Sequence, residues 1–129
     1  MTQSNTYVYF NTGSSFYQQA KSLKTLDKIW AYFKRNFMYD YIGAILAARQ
    51  KFGPSDLEDC WKKKKGTCYN LAALLTAMLR ICGIPACLVI GKAGKNNHAW
   101  VEVNGKIYDP TKELQGSKKE LTYIAERYY

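Results

Sequence analysis

Histidine and closely paired cysteines are scarce in this sequence. The chain has 129 residues and a single histidine, His98, and its four cysteines (Cys60, Cys68, Cys82 and Cys87) form no CxxC pair. A structural zinc site normally combines four cysteine or histidine ligands at such short spacings. The scarcity therefore argues against a metal site. Two disulfides stay open for an oxidising compartment, although Cys82 and Cys87 fit better as small, buried apolar residues.

Acidic residues are also few. Ten Asp and Glu stand against 19 Lys and Arg, which leaves a net charge of +9 at pH 7. Such an excess favours anionic surroundings, such as nucleic acid, an acidic polymer or a bacterial envelope. No ribonucleoprotein motif, zinc finger or helix-turn-helix pattern accompanies the charge. Nucleic acid is therefore not an expected partner.

Long apolar runs are missing as well. No stretch reaches the roughly 20 apolar residues that a membrane span needs, and the start "MTQSNTYVYFNTGSS" lacks the pattern of a signal peptide. With 47% apolar residues, the chain has enough material for one core, so we expect residues 1–129 to form a single soluble domain with 1–16 as an extended arm. A domain excised from a larger exported protein would share these features, and localisation therefore stays open.

Apolar residues at helical spacing predict helices in the first half of the chain. The spacing predicts an amphipathic helix over residues 18–37 and a second over 39–54, which ends at the Gly-Pro breaker. A short third helix over 54–61 would take Ser55 or Asp56 as its cap.

A fourth helix is the best defined. Thr67 is a suitable N-cap, which makes Cys68 the first helical residue, and Gly83 is the expected C-cap with Pro85 beyond it. Because the helix carries both an apolar stripe and several alanines, we predict that it is the central buried helix. The stripe consists of Leu71, Leu74, Leu75, Met78, Leu79 and Cys82.

The second half of the chain changes to strand-like patterns. Strands are predicted for "ACLVIG", "HAWVEV" and "KIYDP", and Asn104-Gly105 is a strong two-residue hairpin signal. The predicted fold class is therefore α+β, with helices first and an antiparallel sheet second. The tail "KKELTYIAERYY" fits either a helix or a last strand.

One cysteine and the lone histidine fit nucleophilic catalysis. A thiolate is stabilised at the first turn of a helix, where the dipole is positive, and Cys68 has this placement. A thiol nucleophile also needs a nearby base, and His98 is the only imidazole present.

The hairpin signal adds a third residue. If Asn104-Gly105 is the turn, Trp100 faces Asp109, and His98 becomes the diagonal neighbour of Asp109 at about 7–8 Å between backbones. Side chains can close that gap, so we predict a hydrogen bond between His98 and Asp109. A register slip of one residue would separate them.

The segments "IWAYFKRNFMYD", "GTCYNLAALLTAMLRICGIPACLVIG" and "HAWVEVNGKIYDPT" resemble the transglutaminase-like superfamily, whose members are papain-related thiol enzymes. The resemblance covers roughly residues 26–112. It implies a papain-like core in which a central helix carries the nucleophile and packs on the sheet. It further implies that Cys68 is the nucleophile, His98 its base and acid, and Asp109 the orienting residue, with no cofactor.

Two features differ from the family pattern or leave a role open. Members often have an acidic residue where this chain has Asn70, and the second oxyanion donor is either Tyr39 or Trp61, unless both are core aromatics. The run "KKKK" at 62–65 fits a solvated loop better than a surface that attracts an acidic substrate.

The predicted function is a cysteine hydrolase, of protease or amidase type, that cleaves amide bonds of a peptide or protein through a thioester. Two alternatives are a non-catalytic module that binds an anionic polymer and a true protein-glutamine acyltransferase. An arylamine acetyltransferase would share the triad, but this chain is too short for the further domains of that enzyme.

Overall fold

The computed structural model describes residues 7–46 and 54–129, and it confirms the α+β class with an antiparallel sheet. The helices in the described ranges are α1 Tyr17–Leu23, α2 Leu26–Asn36, α3 Tyr41–Leu46, α4 Pro54–Lys63, α5 Cys68–Ile81 and α6 Pro110–Leu114. The strands there are β1 Met38–Tyr39, β2 Lys65–Gly66, β3 Ala86–Ala93, β4 Asn96–Val103, β5 Lys106–Tyr108 and β6 Tyr123–Tyr128.

The first predicted helix is two helices. Lys24 has a φ of 69° and ends α1, and Thr25 then caps α2 by accepting a 3.2 Å hydrogen bond from the Lys28 backbone N–H. The prediction of one helix over 18–37 was wrong, because the apolar spacing continues across this break and hides it. Threonine is a favoured N-cap residue, and a second helix therefore begins after Thr25.

The next two helices also differ from prediction. Helix α3 covers only the start of the predicted segment, and residues 47–53 lie outside the described part of the chain. Helix α4 begins at Pro54, so Ser55 and Asp56, the residues predicted for the N-cap, lie inside the helix. Proline suits the first helical position because it has no N–H to leave unpaired there.

The predicted N-terminal arm is described from residue 7 onward. Residues 7–16 contain no α-helix, yet Val8, Phe10 and Phe16 are buried in the same core as the helices. This segment therefore contributes apolar side chains to the packing of the protein.

Helix α5 is the centre of the core. It starts at Cys68 as predicted, with Thr67 as N-cap. It packs against the helices α1, α2, α4 and α6 and against the strands β3 and β4. Asn70 accepts a 3.1 Å hydrogen bond from the Thr67 backbone N–H, so the residue that departs from the family pattern completes a capping box. The C-cap is Cys82, and Gly83 follows it with a φ of 75°.

The main sheet has the strand order β5-β4-β3-β6, and all its pairs are antiparallel. The undecided tail supplies the edge strand β6, which pairs with β3. Gly91 permits this pairing, because a Cβ there would collide with the Ile124 carbonyl oxygen.

All four cysteines are free thiols. Cys60 is buried, whereas Cys82 and Cys87 are only half-buried, so the prediction of buried core residues fails for these two. The Cys82 thiol donates a hydrogen bond to the Ala20 carbonyl at 2.9 Å, a polar partner that an apolar interpretation does not provide for. In the described ranges, every helix is too short or too polar to cross a bilayer.

Candidate active site

The candidate nucleophile stands where a short strand meets the central helix. Cys68 is the first residue of α5 and is half-buried. The preceding strand β2 lies parallel to β1, with Tyr39 paired to Gly66. Because Cys68 lies at the positive end of the helix dipole, negative charge is favoured on its side chain.

The hairpin has the predicted register. Val103 pairs with Lys106, and Val101 with Tyr108, across a turn in which Asn104 and Gly105 have φ values of 51° and 81°. The predicted pairing of Trp100 with Asp109 is not part of the ladder, because Asp109 leaves the strand and becomes the N-cap of α6.

The predicted hydrogen bond between the imidazole and the carboxylate is present. His98 Nε2 donates to Asp109 Oδ2 at 2.9 Å. Burial alone would lower the pKa of His98, but hydrogen bonds and charge from Asp109 and Cys68 outweigh it and raise the pKa from 6.5 to about 9. Cys68 and Asp109 both act on the imidazole of His98, and Asp109 does so through the hydrogen bond to Nε2.

The carboxylate of Asp109 is held by three donors. Besides His98, the Tyr123 hydroxyl donates to Oδ2 at 2.8 Å, and the Lys112 backbone N–H donates to Oδ1 at 3.2 Å. Burial tends to raise the pKa of Asp109, but the hydrogen bonds and the charge of His98 lower it overall. Asp109 thus stays ionised although its residue is only 7% exposed.

Tyr123 is a site residue that sequence reasoning missed. Burial, followed by the contact with Asp109, raises the pKa of Tyr123, so its hydroxyl keeps its proton and remains a donor. Its ring meets the buried Trp100 edge-on at 4.9 Å, and Trp100 lies against the His98 ring at 6.2 Å between centroids. No local sequence pattern indicated a role for Tyr123, because this residue reaches the site only through the long-range pairing of β6 with β3.

The structure separates the two candidates for the second oxyanion donor. Trp61 stacks on Tyr32 at 5.8 Å, and the Lys64 ammonium lies 3.4 Å from the centre of its ring, so it belongs to an aromatic cluster. Tyr39 is next to the site: burial and then the charge of Cys68 raise the pKa of its hydroxyl. A role of Tyr39 as the second oxyanion donor stays a prediction.

The lysine run is partly engaged in local structure. Lys63 forms a 3.0 Å ion pair with Asp59, and the Lys64 ammonium donates to the Trp61 carbonyl at 2.6 Å. These contacts favour the interpretation of the run as a structural, solvated segment.

Within residues 7–46 and 54–129, no group of three or more His, Cys, Asp or Glu side chains could hold a metal ion.

A family model described as the transglutaminase-like superfamily matches residues 14–112. This range contains Cys68, His98 and Asp109, while Tyr123 lies beyond it. Among curated proteins, none matches this chain at a significant level.

Two solved structures have a similar fold. One is described as a candidate cysteine protease from Cytophaga hutchinsonii; it has 21% identity and a TM-score of 0.62, over 95% of this chain and 44% of that chain. The other is described as a TGase; it has 22% identity and a TM-score of 0.57, over 81% of this chain and 32% of that chain. The chain therefore spans less than half the length of either neighbour.

Proposed function

Since this chain belongs to the transglutaminase-like superfamily, we propose that it is a cysteine hydrolase that cleaves amide bonds of peptides or proteins. The observation that carries the proposal is the environment of His98. Its Nε2 donates a 2.9 Å hydrogen bond to the Asp109 carboxylate, and Cys68 also acts on its ring. A thiol, an imidazole and a buried carboxylate in this order suit acyl transfer.

The first half of the reaction forms a thioester. With a pKa of about 9, His98 is protonated at neutral pH. The nucleophile of the proposed reaction is the thiolate form of Cys68, since a thiolate and not a thiol attacks a carbonyl. The Cys68 sulfur attacks the amide carbon, and the carbonyl electrons move to oxygen. The backbone N–H of Cys68 and the Tyr39 hydroxyl are the donors for that oxyanion. The carbon–nitrogen bond then breaks, and His98 gives its proton to the departing amine.

The second half regenerates the thiolate and the protonated imidazole from which the reaction started. Neutral His98 takes a proton from water, the hydroxide oxygen attacks the thioester carbon, and the carbon–sulfur bond breaks to release the carboxylic acid. Asp109 remains ionised throughout and stabilises the imidazolium. Water is the proposed acceptor because Cys68 is half-buried, whereas efficient transfer to an amine requires that water be kept from the thioester.

The experiment supplies a pool of glutamine-containing peptides with excess cadaverine, with and without calcium, and follows the products by mass. We expect cleaved or deamidated peptides in both conditions. Products conjugated mainly to the amine, or activity that requires calcium, would establish an acyltransferase instead. Cys68→Ala should abolish every product, while Cys82→Ala, at the other end of the same helix, should retain them.

A further inference from the structure

A cavity of about 350 Å³ lies between α2, β1 and α6, beside the candidate active site. Most of its lining is apolar or aromatic, and the two charged residues in the lining, Lys34 and Glu113, have opposite signs. The remaining lining residues are Phe37, Met38, Tyr39, Tyr41 and Leu114. A neutral, apolar occupant therefore fits these walls better than an acidic one.

The cavity and the nucleophile share a wall. Tyr39 lines the cavity and is paired with Gly66, two residues before Cys68. The hydroxyl of Tyr39 is also close enough to the thiol for the charge of Cys68 to act on it. A ligand that places a side chain in the cavity would therefore lie close to the thiol.

The surface next to the cavity is unusually apolar. Large apolar side chains of β1 and α3 are mostly in solvent: Met38 is 70% exposed, Tyr41 60%, Ile42 72% and Ile45 81%. An apolar patch of this kind on a protein surface marks a place where something binds. Two of its members, Met38 and Tyr41, also line the cavity, so patch and cavity form one continuous surface that leads to the site.

We propose that this cavity is the subsite for a large apolar or aromatic side chain of the peptide substrate, close to the bond that Cys68 attacks. The proposal rests on the proposed function and names its substrate class: peptides with a bulky apolar residue near the scissile amide, with the flanking peptide on the patch. The volume is near the lower end of the roughly 300–1,000 Å³ of ligand pockets, which suits one side chain.

The test compares two thiol reagents, iodoacetamide and its N-(2-phenylethyl) derivative, in each of which the Cys68 thiolate displaces iodide. We expect the phenylethyl reagent to saturate and to label Cys68 at least about tenfold more efficiently, since filling an apolar pocket is worth roughly 10–200-fold. In Met38→Glu this preference should fall to near unity. Ile124→Glu, which alters an exposed apolar residue on β6, should keep the preference.

The possible failures are distinguishable. Rapid labelling of Cys68 without any preference in the wild type, or a preference that survives Met38→Glu, overturns the subsite and leaves the nucleophile in place. Labelling of Cys68 no faster than Cys82 or Cys87 by either reagent overturns the proposed function and the subsite with it. Sedimentation that finds a dimer dissociated by Met38→Glu assigns the patch to a second copy of the chain, which also overturns the subsite.

Discussion

The carboxylate of Asp109 has a different task for each of its oxygens. Oδ2 accepts from His98 and Tyr123, and Oδ1 accepts from the backbone N–H of Lys112 in the first turn of α6. Asparagine is about as good an N-cap as aspartate, so an amide at this position retains the helix start. The catalytic and capping contributions can therefore be separated by substitution.

Asp109→Asn should leave the fold intact and reduce turnover by about two to four powers of ten. If its amide nitrogen faces His98, Nε2 must become the acceptor, and the ring then turns an N–H toward Cys68. The pKa of about 9 for His98 should also fall, because the carboxylate that raises it is gone. Since the imidazolium protonates the leaving amine, the alkaline limb of kcat/KM should move to lower pH. A near wild-type rate or an unmoved limb would contradict the proposed role.

Tyr123→Phe tests the hydroxyl that donates to Asp109, and it keeps the ring that packs on Trp100. Because the folded-state pKa of Asp109 is lowered, its stabilising contribution is present above the unfolded pKa and disappears as pH falls through the folded value. We expect a loss of about 1–3 kcal/mol in unfolding free energy near neutral pH, as for hydrogen bonds to charged groups. Urea titrations toward acid pH should show this loss shrinking. A loss independent of pH would indicate packing alone.

Strands and helices were predictable where the signals are local. The start of α5 follows from Thr67 followed by an apolar period, and the β4–β5 register follows from a turn of two residues. The break after α1 was missed because the apolar spacing does not change there. Strand β6 could not be chosen over a helix because the residues of its partner, β3, lie 30 to 39 positions earlier in the sequence, and nothing local specifies that pairing.

Gly91→Ala should destabilise β6 specifically. The added methyl group would collide with the Ile124 carbonyl oxygen and lie 3.0 Å from Ala125 Cα. Both are backbone atoms, so relieving the clash requires the strand itself to move. We expect a loss of about 1–3 kcal/mol in unfolding free energy, as for other overpacked sites. Hydrogen exchange should quicken in β6 more than in the β4–β5 hairpin. Unchanged protection of β6 would contradict the close approach.

Across the whole molecule, the predicted contact between His98 and Asp109 is present, while the environment around it was largely invisible in the sequence. The prediction of Cys68, His98 and Asp109 used a helix start and a hairpin, which are both local features. Tyr123 and the apolar cavity depend on how distant elements pack, and composition carries no record of that.

The four free thiols should differ in reactivity according to their places in the fold. Limiting iodoacetamide near neutral pH should modify Cys68 first, because it alone sits at a helix start beside an imidazole. Burial raises the pKa of Cys60 to about 12 and also raises that of Cys82, so both remain thiols. Peptide mapping under native conditions gives the order, and earlier labelling of Cys60 or Cys82 would refute the assignment.

Asp109 both caps helix α6 and accepts a hydrogen bond from His98, and this has a consequence for mutations at its codon. Helix α6 begins at this side chain and supplies Glu113 and Leu114 to the cavity beside the site. A mutation to a residue that neither ionises nor caps, such as alanine, would damage both the proposed catalysis and the wall of the proposed subsite. Loss-of-function alleles at this codon would therefore mix two defects, whereas asparagine alleles would report the chemistry alone. If the proposed function holds, a lineage that loses catalysis but keeps the subsite should carry asparagine at this position, or a substitution at Cys68 or His98.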